Sequence, residues 1–133
     1  MRDFSRETIE LMNIFSEITN VDARDCIPGE DRVYFLVEPG KAGLAIGKNG
    51  KSIKKLQKAL KKRVKVFEYS EDKMDFIKSM IPEAKNINIK DDKAIVKISK
   101  KDRGKVIGKK GSNIKKVREF IKRNSVLEGL DIR

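Results

Sequence analysis

The sequence predicts an α+β protein made of two tandem units that share one order of helices and strands. The main observation is an internal repeat, in which residues 43–66 align with residues 104–127 after a displacement of 61 residues, with nine of the 24 aligned positions identical. The second observation is that similar helical and strand patterns surround each copy. In a chain of 133 residues, such a period predicts two units of about the smallest size that buries a usable core.

The first predicted unit, residues 1–69, begins with a helix over residues 5–18. Its apolar residues recur on one helical face, and Ser5 is the expected N-cap. The turn-forming segment PGED separates the next two strands. The remaining elements are predicted, in order, as strands at 23–27 and 32–37, a short helix at 41–46, a longer helix at 51–62 and a strand at 64–69.

The second predicted unit, residues 70–133, repeats this order. Its first helix is expected over residues 71–80 with Ser70 as N-cap, and Pro82 prevents its continuation. The remaining elements are predicted as strands at 86–89 and 94–98, a short helix at 100–107 capped by Ser99, a longer helix at 112–123 and a strand at 126–132. No Gly/Ser-rich or Pro-rich spacer joins the units, so we expect them to pack in a fixed relation.

Positive charge is concentrated in the repeated segments. The formal charge of the chain is +12, made up of −5 over residues 1–40, +9 over residues 41–69 and +8 over residues 70–133. A single lysine run is typical of a solvated surface. Two runs at equivalent repeat positions favour a polyanion as the partner instead.

The composition argues against an enzyme. The chain has one cysteine, Cys26, and no histidine, which excludes an internal disulfide, Cys- or His-based metal sites and Ser-His-Asp triads. The segment AIGKNGKS approaches a nucleotide-binding P-loop, but Ala45 stands where the first glycine should be. We expect no cofactor, no metal and no small-molecule substrate. Without an apolar run long enough for a membrane span or signal peptide, a cytoplasmic protein with no membrane partner is expected.

Each repeat copy contains a short glycine loop between two predicted helices. The loops are Gly47-Lys48-Asn49-Gly50 and Gly108-Lys109-Lys110-Gly111. Glycines let another backbone come close, and the N–H groups at the start of the next helix carry the positive end of its dipole. A single loop of this kind is as well explained by a tight helix–helix turn. Two copies in matched surroundings predict two phosphate-binding sites.

The helices after the loops have an apolar face and a cationic face. The candidate cationic contacts are Lys51, Lys54 and Lys55 in the first copy, and Lys115 and Arg118 in the second. Ile46 and Ile107 immediately precede the loops and either line the floor of a groove or belong to the core. Ile53 and Ile114 recur at helical spacing with core residues and are further candidates for that floor.

The motif I-G-K-x-G-x-x-I-K-K, in this order of elements, resembles the KH domain of type II, in which a GXXG loop clamps about four nucleotides. The tandem resembles the KH pair of the NusA transcription factors, most closely their short archaeal form. Residues 66–72, VFEYSED, followed by Phe76 and Ile77, are similar to the connection between the two domains in that form. The resemblance covers nearly the whole chain and implies that both loops and their adjoining lysines contact RNA.

The expected function is therefore non-catalytic binding of single-stranded RNA, such as a nascent transcript, in transcription elongation or termination. RNA polymerase or an elongation complex is a candidate partner. Aromatic residues make up only 6% of the chain, so backbone charge and a shallow apolar groove should contribute more than base stacking. Two alternatives stay open: a ribosome-associated or RNA-processing protein, and an adaptor whose acidic residues 1–40 dock a partner while RNA binding is incidental.

Overall fold

The computed structural model describes residues 4–133, and the chain divides between Tyr69 and Ser70 into two compact units. Each unit contains one three-stranded sheet and helices. The predicted α+β fold with two units of the same element order is confirmed. Within residues 4–133, no helix is both long and apolar enough to cross a membrane.

The first unit follows the predicted order of helix, two strands, two helices and strand. Its elements are α1 (Arg6–Thr19), β1 (Ala23–Pro28), β2 (Arg32–Val37), α2 (Ala42–Ile46), α3 (Lys51–Leu60) and β3 (Arg63–Glu68). Strand β2 lies in the centre of the sheet, antiparallel to β1 and parallel to β3. In this register Phe35 of β2 is opposite both Cys26 and Val66.

The core of the first unit holds three helices against one face of this sheet. Phe15 of α1 stacks on Phe35 with ring centroids 4.3 Å apart, and both side chains are fully buried. Ala45 of α2 and Leu56 of α3 are fully buried in the same cluster. Because each helix is fixed by its own core residues, the short segment between α2 and α3 is held at both ends.

The second unit has the same topology. Its elements are α4 (Lys73–Met80), β4 (Asn86–Lys90), β5 (Lys93–Lys97), α5 (Arg103–Ile107), α6 (Ser112–Asn124) and β6 (Gly129–Ile132). Strand β5 is central, antiparallel to β4 and parallel to β6. Val106 of α5 and Val117, Phe120 and Ile121 of α6 are buried, so the short and long helices again both anchor in a core.

One predicted helix start was wrong. Helix α4 begins at Lys73, because the Asp72 side chain accepts a hydrogen bond from the Asp75 N–H at 2.9 Å. The hydroxyl of Ser70 instead accepts from the Asp72 N–H in the preceding turn. The helix predicted over 100–107 does begin at Lys100 with Ser99 at the N-cap position, as a 3₁₀ turn followed by α5. The Ser99 hydroxyl, however, bonds the Asp102 carboxylate and not a backbone N–H.

Two other element boundaries differ from the sequence prediction by two or more residues. Helix α3 stops at Leu60, because Lys61 adopts a left-handed conformation with φ 57°. Strand β6 begins only at Gly129, because Ser125 Oγ accepts from the Leu127 N–H and bonds the Ile121 carbonyl. These local bonds hold residues 125–127 in a loop and leave Val126 68% exposed.

Candidate nucleic-acid interface

The two glycine loops have the same backbone conformation. Each is a 3₁₀ turn between a five-residue helix and a longer one. At the first glycine, the φ/ψ values are 81°/167° for Gly47 and 80°/169° for Gly108. At the third position they are 55°/27° for both Asn49 and Lys110. At the last glycine they are 72°/19° for Gly50 and 74°/15° for Gly111. The third residue differs between the loops, so the shared shape follows from the spacing of the glycines.

The first glycine of each loop is required by a close backbone approach. A Cβ on Gly47 would lie 2.9 Å from the Ser52 backbone nitrogen, and a Cβ on Gly108 would lie 2.8 Å from that of Asn113. The end of the short helix therefore touches the start of the long one. At Gly50 the nearest atom to an added Cβ is 3.6 Å away, so this glycine is needed for its positive φ alone.

The helices that follow the loops begin without a neutralising side chain. Neither α3 nor α6 has a side-chain N-cap or an acidic residue in its first turn. In contrast, α1 has the Ser5 cap and Glu7, and α4 has the Asp72 cap and Asp75. The N–H of the first residue of each helix donates back into the loop, from Lys51 to the Lys48 carbonyl and from Ser112 to the Lys109 carbonyl. The next N–H groups have no partner within the helix, and a helix start carries about half a positive charge. The starts of α3 and α6 are thus suited to bind an anion.

The predicted contacts of the first loop are brought together on one surface. Lys48 and Asn49 in the loop, and Lys51, Lys54 and Lys55 on α3, are all exposed. Within residues 4–133, none of these four lysines forms an ion pair. Their charges are therefore available to a ligand at the start of α3.

The second loop is similar but less uniform. Lys109, Lys110 and Lys115 are exposed. Arg118 is also exposed, but its Nε donates to the Leu130 carbonyl of β6 at 2.9 Å. This bond positions the guanidinium next to the sheet and leaves its other N–H groups available. Arg118 as an RNA contact stays a prediction.

The predicted groove-floor residues differ in exposure. Ile46 is 39% exposed and Ile107 is partly exposed, so both are accessible beside the loops. Ile53 is half-buried against the core of the first unit, and Ile114 is buried at 4% exposure. The residues that precede the loops are therefore the accessible part of this apolar set, and Ile114 belongs to the core.

Sequence reasoning missed an apolar residue beside the first loop. Leu44 of α2 is 61% exposed. Its counterpart in the repeat is Lys105, whose Nζ lies 3.2 Å from the Glu83 carboxylate. A comparison of the two copies would have singled out this position, because core positions of a repeat keep their apolar character. The surface beside the first loop is thus more apolar than the surface beside the second.

A second residue that sequence reasoning missed is Asn113. Its side chain is buried, and its Nδ2 donates to the Val106 carbonyl at 2.8 Å. This bond connects the start of α6 to α5 and helps to hold the second loop in its conformation. The counterpart in the first unit is Ser52, whose Oγ lies against Gly47. No group of three or more Cys, Asp or Glu side chains within residues 4–133 is placed to hold a metal ion.

Comparison with known proteins agrees with the repeat. The KH domain family matches the chain twice, over residues 12–81 and 73–133. These two matches overlap, so the domain boundaries 1–69 and 70–133 stay a prediction. The KH domain is an RNA-binding module without catalytic activity, and this chain is accordingly an RNA-binding protein and not an enzyme.

Individual relatives match nearly the whole length of this chain. The probable transcription termination protein NusA of Methanocaldococcus jannaschii is 33% identical, over 94% of this chain and 73% of the relative. The protein of that name from Halobacterium salinarum is 27% identical over 96% of both chains. A crystal structure of the protein APE1850 is 36% identical with a TM-score of 0.77, covering 98% of this chain and all of that one. The chain therefore belongs to the KH-domain family, as a NusA-like protein of the short archaeal form.

Proposed function

We propose that this protein binds single-stranded RNA through both GXXG loops and acts on nascent transcripts as a NusA-like elongation and termination factor in the cytoplasm. The observation that carries the proposal is the pair of loops with one backbone conformation, each leading into an uncapped helix start beside exposed lysines. The names of the archaeal relatives support the role in transcription termination.

The chemistry of each loop suits a phosphodiester backbone. The glycines allow the strand to approach the loop closely, and the N–H groups at the start of the following helix donate to phosphate oxygens. Lys48 and Lys109 add charge from exposed positions. Ile46 and Ile107 offer apolar surface for unpaired bases. In a duplex the bases are paired and stacked inside the helix, so they could not reach this surface. Sequence preference should therefore be modest, and affinity should fall with salt by about 0.7 log units per tenfold change and per phosphate neutralised.

The partners beyond RNA are part of this proposal. A termination factor must reach the transcript as it leaves RNA polymerase, so the polymerase or its elongation complex is the expected protein partner. Co-purification of either polymerase or ribosomes with the tagged protein, after nuclease treatment, separates the transcriptional role from a ribosome-associated one. The names of the relatives favour transcription.

Aspartate substitutions in each loop test the proposal. Lys48→Asp with Asn49→Asp should weaken binding of a single-stranded RNA of about 10 nucleotides at least tenfold, or about 1.4 kcal/mol. Lys109→Asp with Lys110→Asp should do the same. The folds should survive, because all four side chains are exposed. Asp also tolerates the left-handed conformation of positions 49 and 110.

The matched control replaces two exposed lysines outside the repeated segments. Lys73→Asp with Lys85→Asp removes as much positive charge as the second loop variant from exposed positions. It should lower RNA affinity by less than about threefold through long-range charge alone. If a loop variant binds RNA as well as this control does, the corresponding loop has no role in binding. Equal affinity for duplex and single-stranded RNA would argue against the groove.

A further inference from the structure

The two loop-following helices carry unequal rows of positive charge. On α3, exposed lysines recur every three or four residues at positions 51, 54, 55 and 58, which places them on one helical face. We call these four residues the α3 lysine row. The positions of α6 aligned with Lys51 and Lys58 hold Ser112 and Glu119. The row is therefore continuous in the first unit and interrupted in the second.

Glu119 in α6 also compensates the positive charge of a neighbouring arginine. Glu119 forms an ion pair with Arg123, with the Arg123 Nη2 2.9 Å from the carboxylate. In the first unit, no acid occurs between residues 41 and 67. Within residues 4–133, no lysine of the α3 lysine row takes part in an ion pair. The row is thus a positive surface without internal compensation.

The α3 lysine row ends at a second group of cations. Lys61, Lys62 and Arg63 follow α3 and, with Asp31 and Gln57, line an open hollow of about 380 Å³. Backbone and side-chain bonds fix its walls: the Lys62 Nζ donates to the Gly29 carbonyl at 3.1 Å, and the Arg63 N–H donates to the Asp31 carbonyl at 3.2 Å. We call the three cations the α3 end cluster.

A purely structural role does not account for the α3 end cluster. Cations at the C-terminal end of a helix stabilise it by offsetting about half a negative charge. One lysine is enough for that purpose, and Asp31 can offset one more cation. Lys61 and Arg63 are exposed, and the position aligned with Arg63 is the buried Asn124. Lys61 and Lys62 align with Lys122 and Arg123, but Arg123 is paired with Glu119. The uncompensated charge at this end is therefore greater in the first unit.

We propose that the first unit holds RNA along the α3 lysine row as well as at its loop, with the α3 end cluster as a second phosphate-binding site. This inference rests on the proposed binding of RNA backbone at Gly47–Gly50. The 10 residues of α3 span about 15 Å. A stacked strand has one phosphate per about 3.4 Å, so the row and the α3 end cluster together match about four phosphates beyond the four nucleotides held by a GXXG loop.

The consequence is that the two units require different lengths of RNA. The first unit should engage about eight nucleotides of single strand, and the second only the four or so at its loop. Lys58→Glu tests this difference, because it gives the first unit the residue found at position 119. Arg6→Glu is the matched control: it makes the same charge change in the same unit, at a side chain that is 94% exposed on α1.

The measurement compares RNAs of five and ten nucleotides by fluorescence anisotropy. The full chain carries Lys109→Asp and Lys110→Asp, so that the second loop does not contribute. Lys58→Glu should weaken binding of the ten-nucleotide RNA about fivefold, reduce its salt slope by about 0.7 or more, and change binding of the five-nucleotide RNA less than about twofold. Arg6→Glu should leave both within about twofold. Circular dichroism checks that each variant is folded.

The outcomes separate this inference from the proposed function. If Lys58→Glu affects both RNAs equally, or no more than Arg6→Glu does, the α3 lysine row does not hold RNA, and binding at the loop is untouched by that result. If Lys48→Asp with Asn49→Asp leaves the five-nucleotide RNA unaffected while Lys58→Glu weakens the longer one, the loop proposal fails and the row stands.

The reverse substitution tests the same inference by a gain of affinity. Glu119→Lys in the otherwise unchanged chain extends the positive face of α6 and releases Arg123 from its ion pair. Affinity for the ten-nucleotide RNA should rise about threefold or more. An unchanged affinity would contradict the idea that a continuous row on this helix face binds the backbone.

Discussion

Replacing Gly47 by alanine should destabilise the first unit strongly, although the change adds only one methyl group. The backbone at this position, φ 81° and ψ 167°, lies in a region that is essentially restricted to glycine, and occupying it with another residue costs about 1–3 kcal/mol. The new Cβ would lie 2.6 Å from Ser52 Oγ and 2.9 Å from the Ser52 nitrogen. The hydroxyl can rotate away, but the backbone nitrogen cannot move without shifting α3.

The expected magnitude is about 2–6 kcal/mol, since overpacking against a fixed backbone adds about 1–3 kcal/mol to the conformational cost. Alanine substitutions at two other glycines of the same segment serve as references for this loss of stability. Gly50→Ala should cost only about 1–2 kcal/mol, because its contacts are ordinary and only the left-handed φ is unfavourable. Gly43→Ala should stabilise by about 0.5–1 kcal/mol, because Gly43 is helical and an added Cβ meets nothing within 4 Å.

Urea denaturation followed by tyrosine fluorescence measures these differences in the first unit alone. The chain has two tyrosines and no tryptophan, and both tyrosines, Tyr34 and Tyr69, belong to the first unit. Tyr34 is buried, so its emission should change on unfolding. Equal stability of Gly47→Ala and Gly50→Ala would refute the reasoning, because it would mean that the close approach between α2 and α3 carries no energetic weight.

Two further predictions concern the second unit and the pairing of the units. Asn113→Ala should lower the free energy of unfolding by about 1–3 kcal/mol, because it leaves the buried Val106 carbonyl without its donor. Thermal or urea unfolding followed by circular dichroism measures this loss, and a value below about 0.5 kcal/mol would show that the bond is dispensable. Residues 1–69 and 70–133 expressed separately, each checked for folding, should bind a long RNA roughly 10²-fold more weakly than the whole chain. A ten-residue Gly/Ser spacer after Ser70 should likewise weaken binding of an RNA that reaches both loops, and unchanged affinity would indicate independent binding units.

The glycine loops could be predicted from the sequence because their conformation is determined locally. The spacing of Gly47 and Gly50, repeated at Gly108 and Gly111, provides the positive φ angles that the turn needs, and few other residues adopt them readily. The repeat also predicted the order of elements in each unit. A pattern that occurs twice excludes accidental periodicity, so the apolar faces of α3 and α6 could be assigned to the core.

The features that could not be predicted from the sequence depend on competition between neighbouring polar groups or on hydrogen bonds between residues far apart in the chain. Ser70 and Asp72 are both good capping residues, and the carboxylate is the group that reached the free N–H of its helix. The segment at 126–128 has residues that favour strands, but the Ser125 hydroxyl holds it in a loop. Arg118 bonds a carbonyl 12 residues away, a contact that no helical pattern reveals.

The identical angles of Asn49 and Lys110 have a consequence for how such a protein can change. Because neither of the two residues between the glycines is needed to hold the loop in shape, both can vary in charge and size while the backbone stays in place. β-Branched residues are the exception at positions 49 and 110, where a left-handed conformation is unfavourable for them. Evolution, or a designed library at these positions, can therefore change the charge of one loop without altering the fold or the other loop.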